Sequence, residues 1–273
     1  MKGLNNIFKI LIVGGLLFFL NACKDKNDNF LLPSIEEDVR LGGQVAEEIE
    51  NDPDQFPILD ETEYSEAYTY LNNLLNYILT SGKVQYKEEF VWDIHIIEND
   101  SVLNAFATPG GYLYVYTGLI KFLDKEDDLM GVLGHEVAHS DLRHTSKNIQ
   151  RQYGINLLRQ IISGKNPSQL EQIAVQIAGT AVGLSFSREF EEEADERSVE
   201  YLDKTPYACN GAFSFFQKLL DEGQAGGTPE FLSTHPDPED RVEDINTKAD
   251  EIGCDITPLA PASYNDFKNM LPQ

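Results

Sequence analysis

His135, Glu136 and His139 stand in the run GVLGHEVAHSDLRH. Residues four apart on an α-helix share a face, so both imidazoles can reach one metal ion with the carboxylate beside them as a base. A hydrolytic zinc takes three protein ligands and keeps one position open for water. Zinc held in this way brings the pKa of that water toward ~7, and Glu136 is placed to take its proton and hand it to a leaving amine. Leu129, Met130, Val132 and Leu133 precede the motif at helical spacing, and Val137 and Ala138 carry the helix on to about Leu142. The motif therefore belongs to a buried helix, where polar side chains need partners.

For the third ligand, His144 follows His139 by five residues, whereas the metzincin spacing places Gly three and His six residues on. Glu191, in SREFEEEADERSVEYL on a second helix, is the preferred candidate. With this second run the chain resembles the M48 peptidases, zinc-dependent enzymes of membrane-associated quality control and CAAX processing whose second motif reads SRxxExxAD. Ser187, Arg188, Glu191, Ala194 and Asp195 match it in register. The resemblance implies that Glu191 is the third zinc ligand and that Asp195, one helical turn on, orients a zinc-bound histidine.

Two further segments extend the resemblance. NAFATPGGYLYVYTGLI is similar to the family's strand before the active-site helix, in which Asn104, Ala105, Phe106 and Ala107 form an edge that pairs with an extended substrate. FLSTHPDPEDR matches a loop that carries a His near the zinc and an Arg a few residues on, here His235 and Arg241. His235 either stabilises the tetrahedral intermediate or closes the metal as a fourth ligand in a resting state; the sequence leaves both open. Arg241 joins it as a group available to the oxyanion. The implied substrates are extended or unfolded polypeptides, because strand addition reads backbone more than side chains. His95, on the strand VWDIHII, and His144, at the start of the next helix, are given structural roles only.

The elements that must position these residues read as an α+β domain. It is mainly helical and zincin-like, with a small sheet from about Phe90 to Tyr116 beside the HExxH helix. Tyr112, Tyr114 and Tyr116 alternate with Leu113 and Val115 as a strand, fed by the turn Pro109–Gly110–Gly111. Helices are predicted over Ser34–Glu50, with Ser34 and Glu37 in capping-box spacing, and over Tyr64–Leu79. After the zinc helix come one long helix over Thr145–Ile162, an apolar central helix over Ser168–Leu184, the second-motif helix, and helices over Pro206–Leu220 and Pro238–Ile252. DEGQAGGTPE, next to the His235 loop, is the stretch where a gate would move. No internal repeat or tetratricopeptide array follows.

Residues 1–22 read as a signal peptide. Ile10–Leu20 is an apolar core too short to span a bilayer, and LNAC ending at Cys23 resembles a lipobox with Asn21 as a departure. Lipidation of Cys23 would anchor the chain to a membrane of the bacterial envelope, with an outer-membrane, periplasm-facing site or surface exposure as the expected placement. Residues 23–33 then form a polar tether and 34–273 the peptidase-like domain. Cys209 and Cys254 remain, available for a disulfide or as buried thiols. The chain carries 21 basic and 46 acidic residues, a net charge of −25, which argues against nucleic-acid binding. The expected function is a zinc endopeptidase of misfolded envelope polypeptides. The alternative is a chaperone-like zinc lipoprotein that binds unfolded outer-membrane proteins without cutting them. Nothing in the sequence specifies an oligomeric state.

Overall fold

The computed structural model describes residues 32–178, 184–223, 231–236, 238–259 and 262–273. The signal segment, Cys23 and most of the tether lie outside these residues, as does most of the glycine-rich stretch before the His235 loop.

Helix α1 (Ile35–Glu50) begins at a reciprocal cap. The Glu37 amide donates to Ser34 Oγ at 3.2 Å and the Ser34 amide to the Glu37 carboxylate at 2.8 Å. Helix α2 (Ser65–Leu79) follows, then three strands, β1 (Asp93–Ile97), β2 (Ala105–Ala107) and β3 (Tyr112–Tyr116), in the spatial order β1-β3-β2. The middle strand β3 runs parallel to β1 and antiparallel to β2, so β2 is an edge. Both faces of the sheet are covered. Leu113 and Val115 enter the larger core with α2, while Tyr114 and Tyr116 enter a smaller core with Leu41, Val45 and Ile49 of α1.

The short helix α3 (Thr117–Phe122) leads into α4 (Glu126–Asp141), in which every residue is buried. Such a helix survives only if its polar groups are satisfied. Asp127 accepts the Ala208 and Leu259 amides at 2.8 and 3.0 Å, and Asp141 accepts the Tyr86 amide at 2.9 Å and the Tyr201 hydroxyl at 2.8 Å.

The segment predicted as one helix over Thr145–Ile162 is two, α5 (His144–Tyr153) and α6 (Ile155–Ile162), because Gly154 at φ 79° turns the chain between them. Helix α7 (Pro167–Ile177) is not central either. Its apolar residues Leu170, Ile173, Ala174 and Ile177 join the smaller core on α1. The centre belongs to α4, flanked by α8 (Arg188–Leu202) and α9 (Gly211–Gly223). A Cβ on Gly131 of α4 would stand 1.9 Å from the Ala212 amide of α9, which is why the two helices can approach so closely. Helix α9 starts later than predicted, since Ala208 and Cys209 use their amides on Asp127 and on the Asp255 carbonyl instead. Then come α10 (Phe231–Thr234), α11 (Pro238–Ile252) against α8 and α9, and α12 (Ala262–Asn269). A disulfide joins Cys209 to Cys254, tying the start of α9 to the end of α11. Among the described residues no helix is long and apolar enough to cross a membrane.

Candidate metal centre

Helix α4 supplies His135, Glu136 and His139, α8 supplies Glu191 and Asp195, and the turn after α10 supplies His235. The ligand atoms of His135, His139, Glu191 and His235 all lie within 4.8 Å of one another, and all four residues are buried. His135 Nε2 is 2.9 Å from His139 Nε2 and 3.2 Å from His235 Nδ1. Glu191 oxygens stand 3.1 Å from His235 Nδ1, 3.5 Å from His135 Nε2 and 3.6 Å from His139 Nε2. Bonds of about 2.0–2.2 Å to a tetrahedral zinc would set ligand atoms roughly 3.3–3.6 Å apart, and the separations here lie within that range or a few tenths of an ångström below it, close enough for one coordination sphere.

Proton positions, assigned from the partners, make the same point. His135 Nδ1 faces Asp195 Oδ1 at 2.8 Å and so carries the proton, which leaves Nε2 as a lone pair. His144 Nε2 donates to Glu193 at 2.9 Å, so its Nδ1 accepts from His139 Nδ1 at 3.0 Å and His139 Nε2 is bare as well. Two lone pairs and a carboxylate aimed at one point, out of reach of water, need a cation between them. Burial, reinforced by His135, holds the His139 pKa well below its usual value and keeps the ring neutral. Burial by itself would raise Glu191, but His235 and Arg241 outweigh it and hold the carboxyl well below the ordinary range.

Glu136 lies beside this cluster without entering it. Burial pushes its carboxyl up to about 8, and a neighbouring cation works the other way, toward the ionised base. It accepts the Ala107 amide of β2, and its Oε1 has no hydrogen-bond partner among the described residues. His235 Nε2 is 3.5 Å from that oxygen.

His235, left with two roles by the sequence, stands with Nδ1 beside His135 Nε2 and Glu191, as the fourth residue of the group that could hold a metal. Arg241, expected as a group available to the oxyanion, has its guanidinium turned to two carboxylates. Its Nε and Nη2 donate to Asp195 at 2.6 and 2.7 Å, Nη1 faces Glu191 at 2.8 Å, and the guanidinium lies over Phe216. In this arrangement it positions the ligand carboxylate of Glu191 and the Asp195 carboxylate behind His135. Asn104 and Thr108 pair with Tyr116 and Tyr112, so alternation turns the main chain of Ala105 and Ala107 to the outer edge of β2. That edge is engaged from within: the Ala107 amide by Glu136, its carbonyl by Thr145 Oγ, and the Asn104 side chain by the Ala178 carbonyl. Phe186 stacks on His139, and its amide donates to the Thr234 carbonyl.

Sequence reasoning missed the pair His144 and Glu193, which fixes the His139 ring. His144 reads in the sequence as a support for the next helix, and Glu193 is hidden in an acidic run.

Peptidase family M48 matches residues 66–249, from α2 to α11, which hold the whole cluster. The chain is 30% identical over 182 residues to the beta-barrel assembly-enhancing protease of Escherichia coli K12, over 63% of this chain and 36% of that one, so it spans little more than a third of that relative. To the metalloprotease LoiP of the same organism it is 25% identical over 264 residues, 89% of this chain and 97% of that one. To the mitochondrial metalloendopeptidase OMA1 of Schizosaccharomyces pombe it is 25% identical over 244 residues, 88% and 70% of the two chains. A zinc-shaped ligand set inside a match that covers most of the folded chain leaves one assignment: the chain belongs to peptidase family M48, the zinc metallopeptidases.

Proposed function

We propose that this chain is a zinc endopeptidase of unfolded or misassembled envelope polypeptides, held shut in its resting state by His235. The observation that carries the reading is the pairing of a complete zinc ligand set with an unpartnered Glu136 Oε1 beside it. A site that only binds zinc for stability has no use for a buried carboxylate that ligates nothing. Zinc, when bound by His135, His139 and Glu191, supplies Lewis acidity to water and to a scissile carbonyl.

The chain's own residues do the rest. His235 swings away from the other three ligands, which opens the site to water beside the unpartnered Glu136 Oε1, and Glu136 holds the proton that the attack releases. Glu136 then passes it to the departing amine. Asp195 keeps His135 in one tautomer, and Arg241 holds Asp195 and Glu191 in register. The outer edge of β2, from Asn104 to Ala107, receives the substrate backbone once its internal partners let go. His235, displaced toward the oxyanion, is available as a donor there.

We assign residues 1–22 to a signal peptide, Cys23 to lipidation and residues 34–273 to the peptidase domain, anchored in the bacterial envelope. The name of the beta-barrel assembly-enhancing relative supports the envelope part of that placement. A second reading has two observations in its favour. His235 beside the other three ligands and the engaged β2 edge are what a non-cleaving, chaperone-like zinc lipoprotein would also have. Substituting His235→Ala separates them. Casein cleavage by the purified protein rises in the variant if His235 is a gate, and stays at background with zinc still bound if the chain only binds its clients.

A further inference from the structure

On the face of the sheet opposite α4, three more side chains of metal-binding type converge. His95 of β1 lies opposite Tyr114 of β3, whose side chain enters the smaller core, while Ile94 and Ile96 on either side of it enter the core shared with α4. Glu61 comes from the turn before α2 and Asp93 from the first position of β1. One ligand atom from each of Glu61, Asp93 and His95 lies within 4.8 Å of the others. Two carboxylates near a surface are not a site by themselves, and what distinguishes these is the imidazole behind them. His95 is 7% exposed, and its Nε2 is buried with no hydrogen-bond partner. Asp93 Oδ2 stands 3.3 Å from that nitrogen in a direction that makes no hydrogen bond, and Glu61 Oε1 is 3.9 Å from Nδ1. Tyr114, whose ring stacks on His95 at 5.1 Å, also buries an unpartnered hydroxyl.

We propose that Glu61, Asp93 and His95 form a second divalent-cation site, separate from the catalytic zinc and structural in role. A nitrogen and an oxygen about 2.0–2.2 Å from one cation sit roughly 3.0–3.6 Å apart, which matches the Asp93–His95 spacing. Glu61 is surface-exposed and completes the set by a side-chain rotation, with water in the remaining positions. One imidazole with two carboxylates suits zinc or manganese, not a thiophilic ion, and calcium rarely selects the nitrogen. The turn carrying Glu61 already meets the sheet through the Ile58–Ile97 bridge and the Leu59 amide on the Ile96 carbonyl. A cation there clamps that turn onto β1.

The test is metal content. The purified full-length protein is stripped with a chelator and dialysed against zinc chloride, or separately against manganese chloride, and metal per chain is measured by mass spectrometry. Wild type is expected to hold about two zinc ions, Asp93→Asn and Glu61→Gln about one, and His139→Ala about one. The double variant His139→Ala with Asp93→Asn is expected to hold none. Asp93 and Glu61 are both partly exposed, so these variants keep the fold, checked by circular dichroism. Equal metal content in wild type, Asp93→Asn and Glu61→Gln, with His139→Ala empty, overturns the second site while leaving the catalytic one intact. His95 is then an imidazolium balanced by its carboxylates.

Discussion

Removing His144 tests whether the chain Glu193–His144–His139 sets the zinc affinity. His144 is fully buried, and its Nδ1 is the acceptor, at 3.0 Å, that fixes the tautomer and orientation of the His139 ring. In His144→Ala that ring loses its acceptor and keeps a buried, unsatisfied Nδ1–H. Supports of this kind are worth ~10–100-fold in metal affinity, or about 1.4–2.7 kcal/mol. Glu193 acts one step further out, and its side chain is 48% exposed, so water replaces part of its contribution. Glu193→Gln is therefore expected to weaken zinc by less than ~10-fold. Titration of the stripped proteins against a chromophoric zinc chelator gives both numbers. The reasoning fails if His144→Ala binds zinc as tightly as wild type, or if Glu193→Gln costs more than His144→Ala.

Three other outcomes follow from the packing and the ligand set. Gly131→Ala drives a methyl into the Ala212 backbone between α4 and α9, and overpacking of that kind costs ~1–3 kcal/mol, read as a lower midpoint in urea denaturation. Reducing the Cys209–Cys254 bond opens a link across 45 residues and is expected to cost about 2–4 kcal/mol; an unchanged melting temperature in the Cys209→Ser, Cys254→Ser double variant contradicts this. Chelation of zinc leaves converging lone pairs in a dry site, so the melting temperature falls and recovers on adding zinc back. The zinc-facing nitrogen of His135 must be unprotonated to bind, and although burial and Arg241 oppose it, Asp195 and Glu191 raise the pKa of this ring, so zinc affinity is expected to fall as pH drops from above the ordinary imidazole range; an affinity flat from neutral to acidic pH argues against this site.

How much of this was legible depended on sequence distance. His135, Glu136 and His139 are set by one helix, so periodicity places them together; Glu191 and Asp195 share a face of another helix, but it is the resemblance to the M48 peptidases that implies their roles at the metal. The Ser34–Glu37 cap was equally local. Arg241 was found by its place in a motif, but no spacing says that its guanidinium turns to Asp195 and Glu191. His144 and Glu193, 49 residues apart, meet only after α8 packs against the zinc helix. The apolar content of α7 was read as centrality, whereas a half-covered helix on α1 carries the same residues. Gly154 was visible, but only its positive φ makes it a break. That the β2 edge is engaged from within is tertiary, and no pattern along the chain records it.

The central claim is that Glu136 is the base of a zinc peptidase rather than a passenger in a zinc-stabilised fold. It is tested by casein cleavage with zinc content measured alongside, comparing Glu136→Gln with the native carboxylate in the His235→Ala background. The account predicts that His235→Ala cleaves and that adding Glu136→Gln abolishes cleavage while zinc stays at the same ratio per chain. Cleavage that survives Glu136→Gln with zinc retained, or absence of cleavage in both proteins, contradicts it.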